Sequence, residues 1–227
     1  MGWRRYAIYF TPEGALADRG AAWLGWDAAA GEAREPPCLP GLPRPAGEIT
    51  ARPQKYGFHA TLKPPFRLAA GRSEAELDRA LAAFAAGRPA VVLDGLEVAR
   101  LGRFLALRPA GDAAGLSALA AAVVEGLDRF RAPPADEEIA RRRAARLTRR
   151  QEALLTRWGY PYVMEEFRFH MTLTGPLAPN ELAQTETVLA RHFAPVLPAP
   201  FVVDGVTLLG EDERGRFHHL HRYALTG

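Results

Sequence analysis

Cysteine and lysine are nearly absent from this chain of 227 residues. Cys38 is the one cysteine, so the chain can form neither an internal disulfide nor a cluster of thiolate metal ligands. This scarcity favours a reducing compartment, and we expect a cytoplasmic protein. The two lysines, Lys55 and Lys63, each stand four residues from His59, whereas nearly all of the 29 basic residues are arginines.

Three other features are missing. No run of about 20 apolar residues occurs, so we expect no membrane span, and the N-terminal MGWRRYAIYF lacks the apolar core of a signal peptide. No phosphate-binding P-loop or dinucleotide glycine fingerprint stands at a strand-to-helix turn, so nucleoside triphosphates and dinucleotide cofactors are not expected. With 48% hydrophobic and 24% charged residues and a net charge of +3, an ordinary globular protein remains.

One short sequence motif occurs twice in the chain. YGFHATLKPPF spans residues 56–66, and FRFHMTLTGPL spans residues 167–177. In an extended strand, side chains two residues apart share a face. Each segment is therefore predicted to be a strand with an apolar back and a polar His-x-Thr front. The predicted fronts carry His59, Thr61 and Lys63 in the first segment, and Arg168, His170, Thr172 and Thr174 in the second.

The elements after the two segments follow the same order, a helix and then a hairpin. The first half predicts a helix over 73–86 and strands over 91–100 and 103–108. The second predicts a helix over 180–193 and strands over 201–210 and 216–225. Further helices are predicted over 113–130 and 136–158. We interpret this order as an internal duplication within one compact bilobal domain over residues 1–227, with units at about 56–108 and 167–225. The expected fold is α+β, with two pseudo-symmetric lobes of antiparallel sheet flanked by helices around a central cleft.

The repeated His-x-Thr front favours chemistry on a phosphate. A histidine has an ordinary pKa of about 6.5, so one imidazole can hold a proton while another lacks it. Two such strands facing each other would flank one anion with an acid and a base, and the threonine hydroxyls would donate to its oxygens. This arrangement suits phosphoryl transfer without a metal, and we expect neither a metal nor a cofactor.

The paired strands FHATL and FHMTL resemble those of the two-histidine (2H) phosphoesterase superfamily. The longer strings YGFHATLKPPF and RWGYPYVMEEFRFHMTLTGPL are similar to a branch encoded in bacterial phosphonate-utilisation operons. The resemblance implies a bacterial hydrolase with a bilobal, LigT-like fold that opens cyclic phosphodiesters. His59 and His170 would be its acid–base pair, and Thr61 and Thr172 its phosphate-binding hydroxyls; which histidine is the base is left open.

The substrate is also left open. The closer resemblance implies phosphoribosyl 1,2-cyclic phosphate, an intermediate of phosphonate breakdown, whereas the wider superfamily implies 2′,3′-cyclic nucleotides or RNA ends. The alternative from another class is a non-catalytic module that binds a phosphorylated metabolite or RNA in the same cleft. Either way, we expect a small phosphorylated partner or an RNA end and no membrane, and the sequence does not indicate an oligomeric state.

Weaker candidates surround the two motifs. Lys63 and Arg168 are predicted to contact phosphate because they share a face with the histidines, and Lys55 and Tyr56 precede the first motif as further candidates for substrate binding. His219 and His221 are predicted to share a strand face, but no pattern supplies a third metal ligand. Two segments have more than one interpretation: residues 31–53 as a lid or a flexible excursion, and the arginine-rich run 141–150 as a solvated helix face or an electrostatic guide.

Overall fold

The computed structural model describes residues 2–227. The strands are β1 (Arg5–Phe10), β2 (Trp26–Asp27), β3 (Glu32–Ala33), β4 (Ala60–Phe66), β5 (Val91–Leu93), β6 (Gly95–Leu101), β7 (Phe104–Ala110), β8 (Met171–Thr172), β9 (Phe201–Val203), β10 (Gly205–Glu211) and β11 (Phe217–Ala224). The α-helices are α1 (Gly14–Leu24), α2 (Ala46–Thr50), α3 (Glu74–Ala86), α4 (Ala114–Gly126), α5 (Asp136–Arg143), α6 (Arg149–Trp158) and α7 (Pro179–Phe193).

Seven strands form one antiparallel sheet in the order β11-β10-β1-β4-β8-β7-β6. Strands β4 and β8, which belong to the two His-x-Thr segments, are direct neighbours near the middle of this sheet. The predicted α+β class, with an antiparallel sheet flanked by helices, is confirmed. The two lobes are the two sides of one continuous sheet, and the motif strands meet at the junction.

The hairpins are exchanged between the two halves of the chain. The hairpin of the first half, β6–β7, pairs with the second motif strand β8. The hairpin of the second half, β10–β11, pairs with β1, which in turn pairs with the first motif strand β4. Helix α3 packs on β10 and β11, and helix α7 packs on β6 and β7. Each side of the sheet is therefore built from both halves of the sequence.

The two hairpins are interrupted at equivalent points. The strands predicted over 91–100 and 201–210 divide at Asp94 and Asp204, so that β5 and β9 separate from β6 and β10. The two separated strands pair with each other, with Val92 opposite Val202. This separate two-stranded sheet joins one strand from each half of the chain.

The helix predicted over 136–158 is two helices. Arg146 has a φ of 55°, a left-handed conformation that a continuing α-helix does not permit. A new helix begins after Thr148, whose hydroxyl accepts from the Gln151 amide while the Gln151 side chain accepts from the Thr148 amide. The prediction of one helix is wrong because the apolar spacing passes through this break.

The main core lies on one face of the sheet. Phe58, Ala60 and Leu62 of the first motif are at most 7% exposed, and so are the equivalent Phe169, Met171 and Leu173 of the second. They pack against apolar side chains of α3, α4 and α7. The opposite face carries only a small buried cluster of Ala7, Tyr9, Leu209 and Phe217. That face is left for the polar side chains of the motifs.

None of the helices in residues 2–227 has both the length and the apolar character that crossing a bilayer requires.

Candidate active site

The two His-x-Thr pairs form a compact group on the open face of the sheet. Strands β4 and β8 are antiparallel with Ala60 opposite Met171. Continuing this register by one residue in each direction places His59 opposite Thr172 and Thr61 opposite His170. All four side chains are half-buried, whereas their neighbours Ala60 and Met171 are fully buried on the other face. The two histidines lie on a diagonal, which in an antiparallel pair corresponds to about 7 Å between Cβ atoms.

The same hydrogen bond orients both imidazoles. Nδ1–H of His59 donates to the carbonyl of Gly57 at 3.0 Å, and Nδ1–H of His170 donates to the carbonyl of Arg168 at 2.7 Å. In each motif the acceptor is the residue two positions upstream. This tautomer leaves Nε2 unprotonated, and Nε2 of His59 receives the Thr61 hydroxyl at 3.2 Å.

Gly57 is required for this arrangement. It has a φ of 71°, and a Cβ at this position would lie 2.6 Å from the Cβ of Ala28. A side chain would therefore displace the carbonyl that holds His59.

Burial makes both histidines weak bases. It lowers the pKa of His59 to about 4; the Gly57 carbonyl opposes this effect, and the charge of a protonated His170 adds to it. The ring of His59 stacks on buried Tyr9, with centroids 3.8 Å apart. Burial also lowers the pKa of His170, and the charge of Arg108 contributes. Burial therefore favours the neutral form of both imidazoles in the free protein, and a bound anion would favour protonation of either.

Arg108 is a site residue that the sequence did not identify. Strand β7 places Leu107 opposite Met171, and one more residue along this register places Arg108 opposite His170. Its Nε is buried without a hydrogen-bond partner, and it makes no ion pair with a carboxylate of residues 2–227. A guanidinium that has a buried, unpaired Nε, lies beside a histidine and has no carboxylate partner among residues 2–227 is suited to an anionic ligand. Alternation along β7 indicates which face of the strand Arg108 occupies. The sequence does not indicate that this strand lies beside His170.

A cleft of about 290 Å³ opens at the His59–Thr172 end of the group. Phe104, Tyr56 and Arg52 are among the residues that line it. Thr172 lines this cleft, while Thr61 and His170 lie one residue pair further along the strands and do not line it. The predicted catalytic residues are thus brought together on one surface.

The C-terminal part of the segment 31–53 packs beside the cleft, which Arg52 and Pro53 line. Its short helix α2 is held against the second motif, because the carbonyl of Ile49 accepts from the Gly175 amide at 2.8 Å. Arg44 pairs with Glu181 of α7 at 2.7 Å. These contacts fix Arg52, two residues beyond α2, at the cleft entrance.

A larger cavity of about 770 Å³ adjoins the cleft. Tyr56 and Arg52 line both spaces, and the exposed Lys55 lines the larger one. The ring of Tyr56 stacks on Phe217, with centroids 5.3 Å apart, and the ammonium of Lys55 lies 4.9 Å from the Tyr56 ring centroid. Tyr56 therefore lines the cleft at His59, whereas Lys55 lines only the adjoining cavity.

The prediction that Lys63 contacts phosphate is wrong. The pairing of β1 with β4 shifts register between Tyr9–Thr61 and Ile8–Lys63, so Lys63 lies opposite a core residue rather than on the histidine face. Its side chain is 2% exposed, and its ammonium donates to the Val124 carbonyl at 3.1 Å and to Asp128 at 3.3 Å. A bulge, which reverses the faces of a strand, explains the error.

Arg168 is also turned away. Its guanidinium donates to the carbonyls of Glu165 and Phe167 at 3.3 and 3.1 Å, and it lines neither the cleft nor the larger cavity. Its backbone carbonyl, rather than its side chain, serves the site by orienting His170.

The pair of Lys63 and Asp128 yields a stability prediction. Burial lowers the pKa of Lys63 to about 8, and the charge of Asp128 opposes this effect. Asp128→Asn leaves the ammonium buried without a counter-charge, so we expect the free energy of unfolding to fall by about 3 kcal/mol. Urea denaturation measures it as a lower midpoint at unchanged slope.

Lys63→Met is the matched control, because Asp128 keeps its hydrogen bonds with Arg131 at 2.8 and 3.1 Å. Lys63→Met should lower the free energy of unfolding by less than Asp128→Asn does. The unfolded chain holds the lysine proton up to about pH 10.4 and the folded chain releases it near 8, so wild-type stability relative to Lys63→Met should rise between these values. A loss below about 0.5 kcal/mol for Asp128→Asn would contradict the role of the pair.

The two histidines near the C-terminus do not share a face. A register shift in the β10–β11 pairing places His219 opposite Leu209 and His221 opposite Leu208. The shared face predicted from alternation is wrong for this reason. No group of three or more His, Cys, Asp and Glu side chains in the described part of the chain converges as a candidate metal site.

Fold and site define an α+β protein in which two His-x-Thr strands pair at the centre of one antiparallel sheet. A family model described as "Protein of unknown function (DUF1045)" matches residues 61–218, and the chain belongs to this family.

Two curated relatives carry the same name, "Ribose 1,5-bisphosphate phosphokinase PhnN". The one from Janthinobacterium sp. (strain Marseille) is 42% identical over 218 residues, which are 93% of this chain and 48% of that protein. The one from Laribacter hongkongensis (strain HLHK9) is 38% identical over 221 residues, which are 96% of this chain and 51% of that protein. The chain thus spans about half the length of the curated relatives it matches.

Solved structures show weaker likenesses. Escherichia coli LigT in its apo form has a TM-score of 0.46 at 18% identity and covers 100% of both chains. A structure described as "Crystal structure of phosphoesterase" has a TM-score of 0.45 at 18% identity and covers 99% of both. TT0787 of Thermus thermophilus has a TM-score of 0.43 at 20% identity and covers 98% of both.

Proposed function

We propose that this protein is a metal-independent phosphodiesterase of the 2H type that opens a cyclic phosphodiester on a phosphorylated ribose. The observation that carries the proposal is the paired geometry of the histidines. Each has Nδ1 held by the carbonyl two residues upstream, each has a threonine opposite it, and both lie on adjacent strands with Nε2 unprotonated, which at His59 accepts the Thr61 hydroxyl.

The name of the relatives supports a ribose phosphate as the substrate. A phosphokinase needs a site for a nucleoside triphosphate, and neither of the two lysines here follows a glycine as a P-loop requires. The relatives are about twice as long, so we assign the kinase activity in their name to the half of those proteins that lies outside the match. A second activity in one chain would then act on a related sugar phosphate.

Phosphoribosyl 1,2-cyclic phosphate, which the sequence resemblance also implies, fits this relation. Cleavage of its bond between phosphorus and the 2-oxygen leaves the phosphate on the 1-oxygen. The product is ribose 1,5-bisphosphate, the compound in the relatives' name. Cleavage at the 1-oxygen would give ribose 2,5-bisphosphate instead.

The proposed step uses His59 as base and His170 as acid. Nε2 of neutral His59 takes a proton from water as the water oxygen bonds to phosphorus. The bond to the 2-oxygen breaks, and protonated Nε2 of His170 donates its proton to that oxygen. Arg108 beside His170 favours release of this proton. Arg108 and the hydroxyls of Thr61 and Thr172 stabilise the charge on the other phosphoryl oxygens.

A substrate comparison tests the proposal. Purified protein in excess EDTA is incubated with phosphoribosyl 1,2-cyclic phosphate or 2′,3′-cyclic AMP, and the products are followed by phosphorus NMR. We expect ribose 1,5-bisphosphate, and a kcat/KM for the ribosyl substrate higher by about tenfold or more, a preference of about 1.4 kcal/mol in transition-state binding. In H₂¹⁸O, the label should enter the phosphate and not the sugar hydroxyl.

Different results would contradict separate parts of the proposal. Ribose 2,5-bisphosphate as the product would overturn the assignment of the cleaved bond. Loss of turnover in EDTA would overturn metal independence. Binding of both compounds without a product would support the non-catalytic module instead.

A further inference from the structure

The larger cavity beside the cleft, which we call the basic bay, is lined mainly by charged side chains. Twelve of its eighteen lining residues are charged, eight of them Arg or Lys and four of them Glu. The excess of four positive charges in one concave space attracts anions more strongly than the same charges on a flat surface would. The bay therefore has the composition of an anion-binding site, but it holds none of the His-x-Thr residues.

Several cations of the bay lack a carboxylate partner. Arg5 is bonded to both carboxylate oxygens of Glu211, and Arg142 lies 3.8 Å from Glu138. Arg52, Lys55 and Arg141, by contrast, form no ion pair with any carboxylate of residues 2–227. Such side chains can bind an external anion without breaking an internal pair.

The bay adjoins the candidate active site. Arg52 and Tyr56 line both the bay and the His59–Thr172 cleft. A molecule with one phosphate beside His59 would extend past these two side chains into the bay. The cleft of about 290 Å³ lies just below the usual range for ligand pockets, and the bay of about 770 Å³ more than triples the available space.

The bay is a poor platform for nucleobases. Binding of single-stranded RNA relies on aromatic rings on which bases stack. Two tyrosines line the bay, Tyr56 and Tyr162, and the ring of Tyr56 is already packed against Phe217. A second phosphate group matches the arginine-lined wall better than a base does.

We propose that the basic bay binds a second phosphate group of the substrate, a monoester dianion on a carbon remote from the cyclic diester, with Lys55 and Arg141 as specificity-determining contacts. Helix α5, which carries Arg141, is thereby assigned to substrate recognition. The claim that the bound phosphate belongs to a substrate rests on the proposed function. The claim that the bay binds a phosphate group does not depend on that function.

The kinetic test compares phosphoribosyl 1,2-cyclic phosphate with ribose 1,2-cyclic phosphate, which lacks the 5-phosphate. The ratio of their kcat/KM values reports the contribution of the second phosphate alone. We expect this ratio to fall by about tenfold in Arg141→Gln and in Lys55→Gln, because each loses one charge-assisted contact. Arg149→Gln is the matched control, since it removes the same charge from an exposed arginine outside the bay and should keep the wild-type ratio.

A binding test is independent of turnover. Ribose 5-phosphate carries the monoester but no cyclic diester, and its dissociation constant is measured by calorimetry. We expect it to bind the wild type and Arg149→Gln alike, and about tenfold more weakly to Arg141→Gln and Lys55→Gln. Thermal unfolding confirms that the variants fold.

The outcomes separate the two proposals. If cyclic substrates are turned over but the ratio is the same in all four proteins, the second phosphate site is wrong and the proposed function stands. If no cyclic substrate is turned over and ribose 5-phosphate binding still depends on Lys55 and Arg141, the phosphate site stands and the proposed function is wrong.

Discussion

His59→Ala and His170→Ala are each expected to lower kcat for the cyclic phosphodiester by about 10³-fold. Each removes one partner of a concerted proton transfer, and a positioned acid or base typically contributes about 10² to 10⁴ in rate. The double variant should be little slower than the single ones, because neither histidine completes the reaction alone. His221→Ala is the matched control: this histidine is exposed on the edge strand β11 and its effect should be negligible.

The pH dependence of kcat/KM distinguishes the two roles. The base must be neutral, and the pKa of His59 is lowered to about 4, so activity should rise as the pH increases through about 4. The acid must be protonated, and the pKa of His170 is lowered from 6.5, so activity should fall before neutrality. We expect an acidic optimum, and a basic limb that is lost in His170→Asn. If His59→Asn removes the basic limb instead, the roles are reversed. If kcat of His59→Ala and of His170→Ala stays within a few-fold of the wild-type value, the assignment of the two histidines as catalytic residues is contradicted.

Arg108→Gln is expected to lower kcat by about 10²-fold, the second largest effect. The guanidinium has no internal counter-charge and lies across from His170, where the transferred phosphoryl group would be. Loss of one preorganised donor to a developing charge typically costs about 10² to 10³ in rate. Arg108→Lys should recover part of the loss, because it restores the charge but not the planar pair of donors.

A titration provides a second readout for Arg108. Its positive charge lowers the pKa of His170, so Arg108→Gln should raise that pKa, as measured by NMR of the histidine ring protons. Arg103→Gln, an exposed residue in the turn of the same hairpin, is the control and should change neither kcat nor the titration. If Arg108→Gln leaves both the pKa of His170 and the activity unchanged, Arg108 is not part of the site.

The site chemistry is local, and for that reason much of it was predictable. Alternation of apolar and polar residues along YGFHATL and FRFHMTL correctly predicted the buried faces, because the side-chain period of a strand is two wherever the strand is regular. The paired histidines and threonines stand out because the motif occurs twice. Helices such as α3 and α7 were recognisable from their spacing, and α3 also from the capping box of Ser73 and Glu76.

The errors occur where regular periodicity stops. Lys63 and His221 each lie beyond a register shift, and after such a shift alternation assigns the wrong face. The break at Arg146 is a single left-handed residue inside a stretch whose apolar spacing is otherwise helical. None of these features has a signal that a single sequence distinguishes from ordinary strand or helix.

The amino-acid order alone thus decided which residue types are available for chemistry, which faces of the motif strands are apolar, and that one arrangement of elements occurs twice. Only the folded chain decided that β4 and β8 are neighbours, that each hairpin crosses to the other half, and that Arg108 comes to lie beside His170. The physical reason is that periodicity reflects the geometry of a single strand or helix. Strand order and register depend on hydrogen bonds and packing between segments more than 100 residues apart, as between Ala60 and Met171.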